Sequence, residues 1–147
     1  MKWIGTLVMM VIAAIAGKLI YQKIGGGTGK EAELPPGVVA GSREHLLQVA
    51  AEINQTLPKK IDREVTVTRV VGRERQLIYQ AELATIPGKN IDNARFLNYV
   101  TPIIRRNACS EPKMKIFWKH DITATYRFIG SDQFGIGEVS VSRGDCA

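Results

Sequence analysis

Apolar and polar positions divide the chain into three parts. No charged residue interrupts the apolar run from Trp3 to Gly17, and a glycine- and proline-rich stretch follows from Gly25 to Gly37. From Ser42 onward, apolar residues recur at helical or strand spacing, which indicates folded segments with one buried side. The pattern predicts a membrane anchor or signal peptide in residues 1–24, a flexible linker in residues 25–40 and an α+β domain in residues 41–147.

The apolar leader has two interpretations. As a helix, Trp3 to Gly17 would span roughly 22 Å, and extension to Ile24 would reach about 33 Å if Lys18 snorkels, enough for a hydrocarbon core of about 30 Å. A short apolar core followed by Ala14-Ile15-Ala16 also fits a cleaved signal peptide. The chain is therefore expected either as a single-pass protein of a bacterial inner membrane or as a periplasmic protein released by cleavage near Ala16.

The first half of the domain predicts a helix and a β-hairpin. Ser42 is a suitable N-cap, apolar residues then recur at three- and four-residue spacing, and Pro58 ends the helix. Residues 64–71 are rich in β-branched side chains, as strands are. A polar turn at residues 72–75 leads to a second strand at residues 76–83.

The second half repeats this order. A helix is expected to start near Asn90 or Asp92, and Thr101-Pro102 reads as the N-cap and first-position proline of a fresh or kinked helix that runs toward Cys109. The remaining predicted elements are a helical turn at residues 114–118 and a second hairpin with strands at residues 122–129 and 134–141.

This α-β-β-α-β-β order predicts an antiparallel four-stranded sheet with the helices on one face, after an N-terminal transmembrane helix. Hairpins need no crossover helix, and alternating strands imply that one sheet face is solvated. The open face is a candidate docking surface, although most solvated sheet faces bind nothing. Its predicted residues are Thr66, Thr68, Gln80, Glu82, Thr123, Thr125 and Arg127.

The net charge of +6 belongs mostly to the leader and linker. Lys2, Lys18, Lys23 and Lys30 account for four of the 20 Lys and Arg residues, and all 14 Asp and Glu residues lie after them, which leaves the domain at +2. Cations close to an apolar segment suit anionic headgroups. A membrane contact through Trp3 to Ile24 is therefore expected, and nucleic acid is an unlikely partner.

The orientation of the domain depends on its cysteines. The positive-inside count alone would put the domain in the cytoplasm, because more lysines follow the apolar run than precede it. Cys109 and Cys146, however, are placed as a staple for the C-terminal strand would be, and a disulfide would indicate an oxidising compartment. Two unrelated reduced thiols are the alternative. Neither His45 nor His120 shows metal-ligand spacing with the cysteines, so no metal or cofactor is expected.

Several segments resemble a recurrent family of small, uncharacterised bacterial envelope proteins. The similarity covers about Leu46 to Cys146 and departs from the family pattern after Met114, where the chain is more basic and aromatic. In that family the two cysteines recur, with a Pro-x-Met segment after the first and a tyrosine-bearing strand before the second. The resemblance implies a disulfide-linked extracytoplasmic module and implies no activity. The matching segments are Asn54 to Pro58, Cys109 to Met114, Thr123 to Phe128 and Asp145-Cys146.

No catalytic constellation stands out, so a binding role is expected. His120-Asp121 and Ser110-Glu111 are adjacent pairs, but neither supplies a nucleophile with a base, and they read as turn residues. Basic and aromatic residues interleave after Pro112, as in contacts with membranes or anionic ligands, or in a half-buried segment. The candidate binding residues are Lys113, Lys115, Trp118, Lys119, Thr123, Thr125 and Arg127.

The sequence thus favours a non-catalytic, membrane-tethered binding or accessory protein of the bacterial envelope, with a protein as its partner. An immunity-type inhibitor of a periplasmic toxin and an envelope hydrolase are the two alternatives. A defined active site on the partner would indicate the inhibitor. A cleft with paired titratable groups would indicate the hydrolase.

Overall fold

The structure is a computed structural model that describes residues 36–60 and 63–146. These residues form a five-stranded sheet and three α-helices, joined by short 3₁₀ turns. In chain order the elements are α1 (Arg43–Asn54), β1 (Lys59–Lys60), β2 (Val65–Arg73), β3 (Gln76–Leu83), α2 (Asn93–Ser110), α3 (Lys115–Lys119), β4 (Thr123–Ile129) and β5 (Gly135–Val141).

The sheet is mixed, so the predicted antiparallel four-stranded sheet is wrong. Its order is β1-β2-β3-β4-β5, and β3 pairs in parallel with β4 while every other pair is antiparallel. Both predicted hairpins are present, as β2–β3 and β4–β5. The connection between them carries α2 and α3 and is long enough to cross over the sheet, so the second hairpin enters in the same direction as β3. The two-residue strand β1 adds the fifth member.

Helix α1 covers the β2 side of the sheet. The side chain of Ser42 accepts a hydrogen bond from the backbone N–H of His45, which confirms the predicted N-cap. Leu46 and Ile53 point into the core. A Cβ at Gly72 would lie 2.2 Å from the carbonyl oxygen of Leu46, so the helix can approach β2 this closely only because residue 72 has no side chain.

Helix α2 covers the β5 side and is continuous through Pro102. Asp92 caps its first turn by accepting from the N–H of Arg95. Of the two expectations for Thr101-Pro102, the fresh helix start is therefore wrong, because Pro102 lies inside one helix. Val100, Ile104 and Ala108 continue one buried stripe on both sides of the exposed proline, and this packing keeps the helix in one piece despite the missing backbone donor.

The position of α2 is set by contacts with the last two strands. Phe96 meets Phe128 of β4 edge to face, with ring centroids 5.4 Å apart. A Cβ at Gly137 of β5 would lie 2.7 Å from the Leu97 side chain. A disulfide joins Cys109, in the last turn of α2, to Cys146, with Cα atoms 5.2 Å apart. The C-terminal segment after β5 is thus tied to the helix that packs on the same strand.

The predicted leader and most of the linker lie outside the described residues. Within residues 36–60 and 63–146, no helix is long and apolar enough to cross a membrane.

Candidate functional site

The helices leave one face of the sheet open, and the predicted binding residues of β4 lie there. Thr123, Thr125 and Arg127 alternate with Ala124, Tyr126 and Phe128, which belong to the core under the helices. In the parallel register with β3, Gln76 lies opposite Thr123, and Gln80 lies opposite Arg127. The open face consequently carries polar side chains from several strands, together with the buried Ile78 of β3 opposite Thr125.

Thr125 is the centre of a hydrogen-bonded row across this face. Its side chain is 0% exposed, although no helix covers it. Gln76 Nε2 donates to Thr125 Oγ1 at 2.9 Å, and Thr125 Oγ1 lies 2.9 Å from Ser140 Oγ. A buried hydroxyl needs partners for its lone pairs and its proton, and these two neighbours supply both. Thr125 is therefore held inside a polar row and is not free to bind a ligand itself.

Arg127 belongs to a second row. Its Nε donates to Glu138 Oε1 at 2.6 Å, and the side chains of Arg127 and Glu138 remain 35% and 46% exposed. A surface ion pair of this kind contributes little to stability. It does present a fixed cation and a fixed carboxylate side by side, which can recognise a complementary pair of groups on another molecule.

The predicted basic and aromatic residues do not form a single surface with the β4 residues. Trp118 is 9% exposed and packs in the core beside Phe117, with ring centroids 6.1 Å apart. Lys115 and Lys119 of α3 are exposed, whereas Lys113 lies in the preceding 3₁₀ turn. The aromatic members of this segment thus anchor α3, as the half-buried interpretation allowed, and the lysines on α3 remain accessible.

Basic residues also gather where the chain enters the domain. The N–H of Arg75 donates to the carbonyl of Gly41, and Arg75 Nη1 donates to the carbonyl of His120 at 3.2 Å. Arg143 pairs with Asp121 at 3.0 Å. The start of α1, the β2–β3 turn and the α3–β4 junction therefore meet at one end of the sheet, which is the end that receives the linker.

His45 is buried at this same end. Its Nδ1 accepts from the N–H of Gly41 at 2.9 Å, which requires a neutral ring with its proton on Nε2. Burial, with a smaller effect from nearby His120, lowers the pKa of His45 below its ordinary value. Protonation of His45 would remove the acceptor for the N–H of Gly41, so this contact depends on pH.

Two tyrosines under the helices bury their hydroxyl groups in the core. Tyr79 and Tyr126 are cross-strand partners whose rings stack with centroids 5.6 Å apart. Neither hydroxyl has a hydrogen-bond partner among the described residues, and Asn107 Nδ2 and Trp118 Nε1 share this property. Burial raises the pKa of both tyrosines, and Tyr126 adds to the rise at Tyr79. Strand alternation marked both residues as core but could not show that their hydroxyls lack partners.

The side chains that are brought together support noncovalent recognition. In the described part of the chain, no group of three or more His, Cys, Asp or Glu side chains could hold a metal ion. The His120-Asp121 pair lies in the turn after α3, where Asp121 faces Arg143 and the His120 carbonyl accepts from Arg75. Polar groups held by hydrogen bonds or ion pairs lie on the open face and also at the end of the sheet near Arg75 and Arg143.

Comparison with solved structures identifies proteins of the same fold. A candidate secreted protein from Pseudomonas aeruginosa matches with a TM-score of 0.60 at 16% identity, over 76% of this chain and 100% of that one. The type II secretion pilotins EpsS of Vibrio vulnificus and AspS of Vibrio cholerae match with TM-scores of 0.54 and 0.53, each at 10% identity over 71% of this chain and 91% of theirs. No protein-family model and no curated protein matches the sequence.

Proposed function

We propose that this chain is a non-catalytic accessory protein of a bacterial envelope assembly and that it acts by binding another protein. The observation that carries the proposal is the fold it shares with two type II secretion pilotins over 91% of their length. A shared fold does not by itself transfer a function. The compartment and the surface of this chain provide further support.

The disulfide supports an extracytoplasmic location. Cys109 and Cys146 are bonded, and no cysteine in the described residues is free. Such bonds form and persist in the periplasm but rarely in a reducing cytosol. The apolar run from Trp3 to Gly17 supplies a predicted export signal. Together with the secretion-related neighbours, these features favour the envelope over the cytoplasm.

The polar surface supports binding rather than catalysis. Arg127 and Glu138 hold each other in place on the open face, and Lys115 and Lys119 are accessible on α3. Preorganised charges of this kind give an interface its specificity and speed up encounter with a complementary partner. The partner would contact two neighbouring surfaces, the open face and the exposed lysines of α3, which a three-residue connection joins to the start of β4.

Site-specific photo-cross-linking in intact cells tests this assignment. A photoreactive residue is placed at Lys115, Lys119 or Thr123, with Gln48 on the exposed side of α1 as the matched control position. We expect a defined adduct with one component of an envelope assembly from the α3 and β4 positions and none from Gln48. Removal of the chain should then impair the function of that assembly.

The outcomes distinguish the alternatives. An adduct with an imported toxin, together with inhibition of that toxin, would support the immunity-type inhibitor. Equal labelling of many proteins from all four positions, or no adduct from any, would contradict a specific partner on this surface. Thiol labelling provides an independent control of location, because both cysteines should react only after reduction in intact cells.

A further inference from the structure

The two outer edges of the sheet are finished differently. At the β2 edge, the Asn54 side chain donates to the carbonyl of Val70 and accepts from its N–H, both at 2.8 Å, which satisfies both backbone groups of that residue. The exposed pair Lys59-Lys60, directly after Pro58, covers Thr66 and Val67 of the same edge as the short strand β1. Prolines, lysines and side-chain caps of this kind discourage the addition of another strand. The β2 edge is therefore closed.

The β5 edge carries outward backbone groups instead. The N–H of Thr123 donates to the carbonyl of Arg75, the residue before β3, so alternation directs the backbone groups of Ala124, Tyr126 and Phe128 toward β5. Their register partners in β5 are Val141, Val139 and Gly137, so the backbone groups of these three residues point toward β4. The backbone groups of Glu138 and Ser140 consequently point outward. No backbone hydrogen bond to them comes from any residue that the structure describes.

The polar rows of the open face also end at this edge. Gln76 donates to Thr125, and Thr125 and Ser140 share one hydrogen bond in which either hydroxyl can be the donor. When the buried Thr125 hydroxyl donates, the proton of Ser140 is available to another acceptor. Glu138 accepts from Arg127 through Oε1 and has its second oxygen, Oε2, for another donor. One row thus ends in a hydroxyl donor and the other in a carboxylate acceptor.

We propose that a second copy of this chain adds to the β5 edge, antiparallel, about a two-fold axis at Val139. In this register Glu138 lies opposite Ser140 of the second copy, and the two positions exchange four backbone hydrogen bonds across the axis. Each Ser140 hydroxyl then donates to the carboxylate of the opposite Glu138. The two five-stranded sheets become one continuous sheet. This inference is independent of the proposed accessory function.

A second copy fits better than an arbitrary strand because the edge is complementary to itself. A symmetric register centred on Glu138 would place Glu138 opposite Glu138, a like-charge contact that is unfavourable in sheets. A register centred on Ser140 would place Glu138 opposite Ser142, which lies beyond the end of β5.

Mixed cysteine cross-linking tests the register directly. Full-length Glu138→Cys and Ser140→Cys chains, with different tags, are oxidised separately and together after detergent extraction, while Cys109 and Cys146 remain bonded. We expect a cross-linked dimer in the mixture at about ten times the yield of either variant alone, because opposite positions are nearest neighbours. Strong cross-linking of Glu138→Cys with itself would overturn this register. Cross-linking only to a different protein in intact cells would overturn the second copy as occupant.

Sedimentation of the full-length chain in detergent provides the second measurement. Ser140→Pro removes an outward N–H and keeps every backbone hydrogen bond to β4, although it loses the Ser140 hydroxyl that contacts Thr125, as Ser140→Ala also does. The fold should therefore persist in both variants, while Ser140→Pro loses the dimer. Ser140→Ala keeps the N–H and loses only the hydroxyl, and it should weaken dimerisation by roughly tenfold. A chain that stays monomeric at every concentration would overturn the proposal. A Ser140→Pro variant that is folded and still dimeric would also overturn it.

Discussion

Thr125 and Tyr126 are neighbours in β4, point to opposite faces of the sheet, and are both almost completely buried. Thr125 has hydrogen-bond partners in Gln76 and Ser140, whereas the Tyr126 hydroxyl has none among the described residues. Burial of polar side chains therefore has two causes in this domain. On the open face, polar side chains shield one another through hydrogen bonds. On the helix-covered face, close packing buries groups even where their polar atoms stay unpartnered.

The largest effect is expected from the disulfide, which secures the helix-covered face. The Cys109→Ser/Cys146→Ser variant should lose about 4 kcal/mol of unfolding free energy, because the unfolded chain regains the entropy of a long loop. Urea denaturation at pH 7 measures the loss. Reduction of the wild-type chain is the matched control and should give a similar value. A loss below about 1 kcal/mol would show that packing of α2 alone holds the C-terminal segment.

A smaller loss should follow from Gly72→Ala, which also disturbs the helix-covered face. The new Cβ would lie 2.2 Å from the Leu46 carbonyl, so α1 must move away from β2. We expect a loss of about 2–3 kcal/mol, typical of overpacking at a close contact. Gly135→Ala is the control, because nothing lies within 4 Å of its added Cβ. Equal stability of the two variants in urea denaturation would contradict the close approach of α1.

The substitutions Thr125→Val and Tyr126→Phe each remove one buried hydroxyl, the first from the open face and the second from the helix-covered face. Thr125→Val should cost about 1–2 kcal/mol, because Gln76 and Ser140 lose their shared partner. Tyr126→Phe should be neutral or stabilising by up to about 1 kcal/mol, because it removes a buried hydroxyl without a described partner. Thermal unfolding of both variants provides the measurement. A larger loss from Tyr126→Phe than from Thr125→Val would reverse the distinction between the faces.

The pH dependence at high pH extends this prediction to Tyr79. Burial raises the pKa of both tyrosines above the value in the unfolded chain, so the folded state holds its phenolic protons more tightly. Stability is therefore complete below the unfolded pKa and should fall as the pH rises beyond it. The tyrosinate absorbance of Tyr79 and Tyr126 should appear together with unfolding rather than before it. Titration of all tyrosines in the folded chain, with no loss of helix signal, would contradict the burial of this pair.

The smallest effect is expected at His45, where the pKa is lowered. The unfolded chain binds a proton more readily than the folded one, so stability should be complete above the unfolded histidine pKa and should fall as the pH drops through it. His45→Asn can keep an acceptor for the N–H of Gly41 but cannot be protonated in this range. Its stability should be flatter than that of the wild type between pH 7 and pH 5. An equal change of unfolding free energy between pH 7 and pH 5 in the wild type and in His45→Asn would contradict the assignment.

Local signals in the sequence predicted local structure well. Ser42 and Asp92 are helix caps whose side chains act within one turn, and both hairpins form between strands joined by short turns. The two cysteines are bonded, as the staple interpretation required. Thr101-Pro102 was misleading because its local preference for a helix start was outweighed by the apolar stripe on both sides of it. The predicted envelope-protein family and the binding role of the β4 and α3 residues remain predictions.

The types of the main elements, the buried side of the four predicted strands and the division of charge between the leader and the domain follow from the sequence alone, because periodicity, capping and composition are properties of short segments. The short strand β1, the parallel pairing of β3 with β4, the burial of Trp118 and the partners of Thr125 are set by tertiary contacts. Each of these depends on which distant segments meet. A strand carries the same alternation of apolar and polar residues whichever way its neighbour runs, so alternation alone cannot determine the direction of pairing.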